Sequence, residues 1–328
     1  MVNVFIFKFK TMLIIRLITT SFILCLLFTG CKDDINLPDQ PLSNYVSVYM
    51  PQAANGPVSY NFTTSDTLPG IIYGACYGGF GYPEEDIRIS FKTGNEAVVD
   101  SFNAANNSNY VLLPAKSYKF EEEPEGIIKK GQLAAMPSKV RISTSGENAP
   151  DLSKTYLLPI SIKSSSVKVN EKLRTHFCIV NIIPTFFNRS SWTITDLSSQ
   201  ESNGEGPNNG KAIFALDGNI NSFWHTQWQG AQPGPPHHLT IDMGETKRVS
   251  GAAVVPRQGV NSGRPKDVQV FLSEDNSTWQ LAYTGSLAND GATQKVFFRN
   301  AVQGRYVKLQ INTAYSSNMV HLAEFYLF

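Results

Sequence analysis

Short β-branched and aromatic runs separated by turn clusters recur along this chain, and one of them alternates polar and apolar residues with a period of two. In 306–311 the apolar residues Val307, Leu309 and Ile311 interleave with Lys308 and Gln310, the pattern of a strand with one buried face. Runs rich in β-branched and aromatic residues fall at 87–91, 140–143, 156–162 and 176–183 in the first half. In the second half they fall at 239–243, 268–273, 296–299, 306–311 and 324–328. Clusters of Gly, Pro, Asn and Asp separate them, and no segment sustains a long 3.6-residue periodicity, so the chain is predicted to be all-β. One long apolar run stops at Ile183-Pro184-Thr185, and a Trp192-bearing segment opens the second half. No repeat relates the halves. The pattern predicts two different β-sandwich domains, at 42–183 and 185–328, with the last strand tying the C-terminus into a sheet.

The first thirty residues read differently. Lys8, Lys10 and Arg16 precede an apolar run over 17–28 that is too short to span a bilayer unaided; Met12 is an alternative start. The run ends in Leu27-Phe28-Thr29-Gly30-Cys31, which resembles a bacterial lipobox. That resemblance implies a signal peptide over 1–30, lipidation of Cys31 and a polar tether over 31–41, with more than one acyl chain and hence stable anchoring. Lys32-Asp33-Asp34 resembles the export signal of surface-exposed lipoproteins in glycan-scavenging Gram-negative bacteria. The expected location is the outer membrane, facing the exterior, with the lipid anchor as the only membrane contact.

Length and charge narrow the rest. At 328 residues, two domains fit after a leader is removed, and a hydrophobic fraction of 42% gives each a core. The 28 basic and 27 acidic side chains leave a net charge of +1, without the basic stripe that nucleic acid requires. Of four cysteines, Cys25 leaves with the leader and Cys31 takes lipid. Cys76 and Cys178 either pair in an oxidising compartment or serve as small hydrophobes. A glycosidase needs two carboxylates flanking a cleft. Glu84-Glu85-Asp86 and Glu121 to Glu123 read instead as solvated faces, and no nucleophile elbow or phosphate loop occurs, so the chain is read as non-enzymatic. Sequons at Asn106, Asn188 and Asn276 carry no meaning in a bacterial lipoprotein.

The order Asn106-Asn107, Tyr110-Val111-Leu112-Leu113-Pro114, Tyr118, Ile128-Lys129-Lys130-Gly131 and Tyr156 to Ile162 resembles domain-of-unknown-function family 1735. That family implies an immunoglobulin-like sandwich in surface lipoproteins tied to glycan use. The role expected here is a spacer.

The second half is richer. Asp217-Gly218-Asn219 makes a tight turn that can point several oxygens inward, as a hard cation requires; no His or Cys spacing suits zinc. Together with Phe223-Trp224-His225-Thr226-Gln227-Trp228, Val255-Pro256-Arg257-Gln258, Gly304-Arg305-Tyr306 and Leu322-Ala323-Glu324-Phe325, it resembles the factor V/VIII type C, or discoidin-like, jelly roll. The likeness is to its galactose-binding branch, carbohydrate-binding module family 32 and the N-terminal domain of galactose oxidase. The resemblance implies one structural Ca²⁺, held by the carbonyls of Phe214, Asn219, Ser222 and Ala323, the Ser222 hydroxyl, and the carboxylates of Asp217 and Glu324. It also implies a sugar site. Trp228 would cover the apolar face of a pyranose, while His225 and the planar fork of Arg257 read its hydroxyls, with Asn261 or Arg264 added from the next loop. Trp192, Trp224 and Trp279 are expected in the core, and His237-His238 at a strand entry. The phospholipid-binding branch closes its domain with a disulfide, and 185–328 has no cysteine. The expected ligand is therefore a glycan, with glycan-uptake or glycosidase proteins as partners. The alternative is an adhesin or scaffold whose second domain binds a protein or serves a separate glycosidase.

Overall fold

The computed structural model describes residues 41–328. The signal, lipidation and tether expectations, Cys31 among them, fall on residues 1–40 and lie outside the described residues. Among the described residues no helix is long and apolar enough to cross a membrane.

The first sandwich is built around Tyr156–Ser165, which lies between Thr175–Ile183 and Ile87–Thr93 in one sheet. Val58–Thr63 extends that sheet in parallel with Thr175–Ile183. Gly70–Tyr73, Ser138–Ile142 and Tyr118–Phe120 form the second sheet. Alternation works as expected in Ile87–Thr93, where Ile87, Ile89 and Phe91 are buried and Arg88 is exposed. One core takes residues from both sheets, including Tyr73, Ile142, Leu158 and Ile160. Cys178 is buried within it, and Cys76 and Cys178 are unpaired.

The all-β fold carries one α-helix, the 11-residue Glu96–Asn106. The Asn95 side chain caps it by accepting from the Val98 N–H, and Asn107 ends it in the left-handed region with φ 50°. Only Val99 and Phe102 are buried, so its apolar stripe is too short to show as a period.

The second sandwich hangs on two long strands, His237–Pro256 and Gln294–Ile311, where the pattern suggested shorter pieces. They pair twice. Residues 237–242 face 306–311, and 251–254 face 294–297, with register shifts between. The shifts hide the continuity from the sequence, because the buried parity changes partway along each strand. The first part of His237–Pro256 also joins Thr193–Leu197, the last part of Gln294–Ile311 joins Asp267–Ser273, and the second half of His237–Pro256 joins His321–Leu327. Trp192 and Trp224 are buried in this core. Trp279 is not: it is half-buried just ahead of the outer strand Gln280–Ser286, with the Lys308 ammonium 4.6 Å from its ring. His237 opens its strand, its Nε2 2.7 Å from the Asn318 carbonyl.

Candidate functional site

Trp224–His225 is a two-residue strand paired with His321–Leu327, Trp224 opposite Leu322 and His225 opposite His321. Alternation sends Trp224 into the core, where its indole N–H donates to the Ser199 carbonyl at 2.9 Å. His225 takes the opposite side, its ring centroid 5.2 Å from that of His321. Arg257 follows the end of the long strand, and its guanidinium lies 3.9 Å from the centre of the Phe223 ring.

The loop over 201–205 organises the rest. Glu201 is buried, and its carboxylate accepts four backbone N–H bonds, from Asn203 (3.1 Å), Gly204 (2.9 Å), Trp228 (3.1 Å) and Gln229 (2.8 Å). These bonds hold the carboxyl at about 2 and fasten the 201–205 loop to the 225–229 loop. Gly204 is required by contact, since a Cβ there would stand 2.5 Å from Trp228 Cζ2. Fastened in this way, Glu205 Oε1 lies 2.8 Å from His225 Nδ1 and 2.9 Å from Trp228 Nε1. An indole N–H only donates, so this oxygen accepts. With Nδ1–H also donating to it, the Nε2 of a neutral His225 is left to accept from a ligand hydroxyl.

Electrostatics keep both rings neutral near pH 7. Burial lowers the His225 pKa, aided by the Arg257 charge, and Glu205 opposes it. Burial pushes His321 down to about 3, with the fields of His225 and Arg257 acting in the same sense. A half-buried indole, a neutral imidazole, a carboxylate and a guanidinium therefore meet on neighbouring loops. The structure brings His225 and Trp228 together through Glu205, and Arg257 to them through Phe223. Asn261 is exposed on the loop after Arg257 and has no hydrogen-bond partner among the described residues. Arg264 is buried, its Nη1 3.4 Å from Asn289 Oδ1. Sequence reasoning missed Glu205, Glu201 and His321. Glu205-Gly206-Pro207 reads as an ordinary solvated turn, and only the unusual density of Gly, Asn and Glu over 201–210 hinted at a constrained loop.

The Asp217 loop and Glu324 lie just beyond the Trp224–Leu322 end of the same strand pairing. Gly218 takes φ 85°. Asp217 Oδ1 accepts from the Asn219 N–H (2.8 Å), Oδ2 accepts from the Ser222 hydroxyl (2.6 Å), and that hydroxyl also lies 2.8 Å from the Asn219 carbonyl. Glu324 is wholly buried: Arg189 Nη1 lies 2.6 Å from its Oε2, and its Oε1 has no partner. Burial, and then the nearby Asp217, raise the Glu324 pKa against the pull of Arg189. A register shift between Val255 opposite Glu324 and Pro256 opposite Leu322 leaves Ala323 outside the pairing. Phe214 sits half-buried in the 3-10 turn Ala212–Ala215. No cluster of three or more His, Cys, Asp or Glu side chains suited to a metal occurs among the described residues. A cation here would rest on two carboxylates, a hydroxyl and carbonyls, a donor set that suits calcium. The orphaned Glu324 oxygen beside Asp217 fits such an ion.

The F5/8 type C domain family matches residues 194–325. The second sandwich is an F5/8 type C domain. A family of N-terminal domains matches residues 42–169. The chain is 25% identical over 277 residues to a sialidase of Micromonospora viridifaciens, covering 77% of the chain and 40% of that protein. It is 35% identical over 130 residues to a galactose oxidase of Gibberella zeae, covering 39% of the chain and 18% of the oxidase. The chain thus spans less than half of either relative. Among solved structures, the C-terminal domain of a chitobiase from Bacteroides fragilis is 29% identical, with a TM-score of 0.41, over 44% of this chain and 97% of that one. A family 32 carbohydrate-binding module of Clostridium perfringens NanJ, solved in complex with galactose, is 26% identical, with a TM-score of 0.38, over 44% and 97%.

Proposed function

We propose that this chain is a non-catalytic, lipid-anchored protein of the outer membrane exterior. Its F5/8 type C domain would hold galactose-type sugars for a glycan-uptake or glycan-degrading system. The observation that carries the reading is Glu205, whose one oxygen receives both the His225 imidazole and the Trp228 indole. Two side chains of the kind that bind sugars are thereby held in one fixed arrangement. Trp228 covers the C–H face of a pyranose, His225 Nε2 accepts from one hydroxyl, and Arg257 donates to adjacent ones. The 35% identity to a protein named galactose oxidase supports a galactose-type ligand. Ca²⁺ held by Phe214, Asp217, Asn219, Ser222, Ala323 and Glu324 would brace the loop that leads into His225, and supplies no reactive chemistry. One shallow site binds weakly, so retention would come from many copies on one surface.

A glycan array of the purified protein tests this. Signal on terminal galactose or N-acetylgalactosamine that disappears in Trp228→Ala and Arg257→Ala supports it. A blank array together with capture of a protein partner would favour the adhesin or scaffold reading. Metabolic labelling with an acyl probe, lost in Cys31→Ser, tests the anchor.

A further inference from the structure

A cavity of about 690 Å³ lies where the two sandwiches adjoin, inside the compact unit Val46–Phe328. The first sandwich lines it with residues of 64–66 and 144–152 and with Lys116. The second lines it with Arg248, Phe297, Arg299 and Phe328, and Phe187 comes from the connection between them. Junctions between domains are favoured places for ligand cavities of this size.

Both walls are tied down. The Thr64 N–H donates to the Ile183 carbonyl (3.0 Å) and the Thr185 N–H to Thr64 Oγ1 (2.8 Å). Two residues on, the Phe187 N–H donates to the Leu327 carbonyl (2.9 Å), so the connection is held at both ends. On the first wall the Ser65 N–H donates to Thr144 Oγ1 (3.1 Å), and the Ser145 hydroxyl lies 3.0 Å from Asp66 Oδ1. On the second wall the pairing passes from Val249 opposite Val302 to Gly251 opposite Phe297. Two steps on one strand (251 − 249) therefore match five on the other (302 − 297). Arg299 sits exposed in that excess, a bulge that turns side chains away from the regular ladder. Gly251 is required beside it, since a Cβ there would stand 2.4 Å from Phe328 Cζ.

The lining chooses the ligand. Arg248 and Arg299 are exposed and make no hydrogen bond or ion pair among the described residues. The first wall carries Asp66, Glu147 and Asp151, with the Lys116 ammonium bound only to the Glu147 carbonyl at 3.3 Å. An anion would meet three carboxylates, and an apolar ligand would cover two guanidiniums without pairing them. Neutral hydroxyls suit both walls, because each can donate to a carboxylate and accept from a guanidinium. Half-buried Phe187 and Phe297 add apolar faces for C–H bonds.

We propose that this cavity is a second glycan site, taking a neutral oligosaccharide between the two sandwiches. It is separate from the His225, Trp228 and Arg257 site and does not depend on the galactose reading. The first sandwich then shares in binding and is more than a spacer.

Trp228→Ala removes the other site from the readout. On an array of neutral gluco-, manno- and xylo-oligosaccharides without terminal galactose, this variant should keep the wild-type signal on at least one glycan. Adding Arg248→Ala and Arg299→Ala should then weaken binding of that glycan, titrated by calorimetry, about ten-fold or more. The melting temperature should stay unchanged, because neither arginine bonds to the protein. An array blank for both wild type and Trp228→Ala would overturn the proposal and leave the galactose site untouched. Undiminished binding by the arginine variant would overturn it equally. So would a blank array with a lowered melting temperature in that variant, which would show the two arginines holding the walls together.

Discussion

Glu205 Oε1 lies 2.8 Å from Nδ1 of His225, and this short contact fixes both the tautomer and the direction of the imidazole. A histidine held by a carboxylate on one nitrogen presents the other as an oriented acceptor. Glu205→Gln keeps an oxygen that can accept from both donors but removes the charge that strengthens those bonds. Hydrogen bonds to charged groups contribute roughly 1.5–3 kcal/mol, so galactoside affinity is expected to fall by about ten- to a hundred-fold. The domain should stay folded, because the Trp224 core lies elsewhere. Calorimetric titration alongside a thermal melt checks both halves of that expectation.

Glu201 acts one layer further back. Its four backbone partners fasten two loops, so Glu201→Ala should lower both the melting temperature and the affinity, whereas Glu205→Gln lowers only the affinity. Because the folded carboxyl titrates at about 2, below the usual value for Glu, its contribution is fully present above about pH 5 and declines as pH falls through the folded value. A melting curve of wild type and Glu201→Ala at pH 7 and at pH 3 should show the gap narrowing in acid.

Sequence alternation made the strands legible wherever one face is buried and the other wet, as in Ile87–Thr93. It failed where parity changes inside a strand, as in His237–Pro256, and where a helix buries only Val99 and Phe102. His225, Trp228 and Arg257 stood out because aromatic, imidazole and guanidinium groups in that order resemble a known site. Glu205 did not, since an acidic residue before Gly-Pro looks solvated until the fold sets it beside an indole. His321 looked like any strand residue; its meaning comes from being paired with His225 across the sheet. Trp279 misled, because size suggests burial while the Lys308 side chain covers it at the surface.

The Asp217 loop with Glu324, proposed to hold calcium, should respond to it. Excess Ca²⁺ is expected to raise the melting temperature of the second sandwich, since a ligand at roughly 100 times its Kd stabilises by about 2.7 kcal/mol. A chelator should reverse the rise. Asp217→Asn should abolish it, and differential scanning calorimetry reads all three. An unchanged melt in wild type across the titration would rule the ion out.

His176 gives the first sandwich a separate acid sensitivity. Its ring is fully buried, Nε2 lies 3.0 Å from the Tyr60 hydroxyl, and burial pushes its pKa down to about 4 from 6.5. Between those values the unfolded chain takes up a proton that the folded one refuses, so stability falls as pH drops from 6.5 toward 4. The full displacement corresponds to roughly 3 kcal/mol. His176→Phe should flatten that part of the stability–pH curve by about this amount, measured by urea unfolding at pH 7 and pH 4.5.

The most direct test of the sugar site is a calorimetric titration of galactose into the wild-type protein and into Trp228→Ala. Saturable one-site binding is predicted for wild type and no detectable heat for the variant, with melting temperatures that nearly coincide. Equal binding by the two proteins would contradict the site, and no galactose binding by wild type would contradict the ligand.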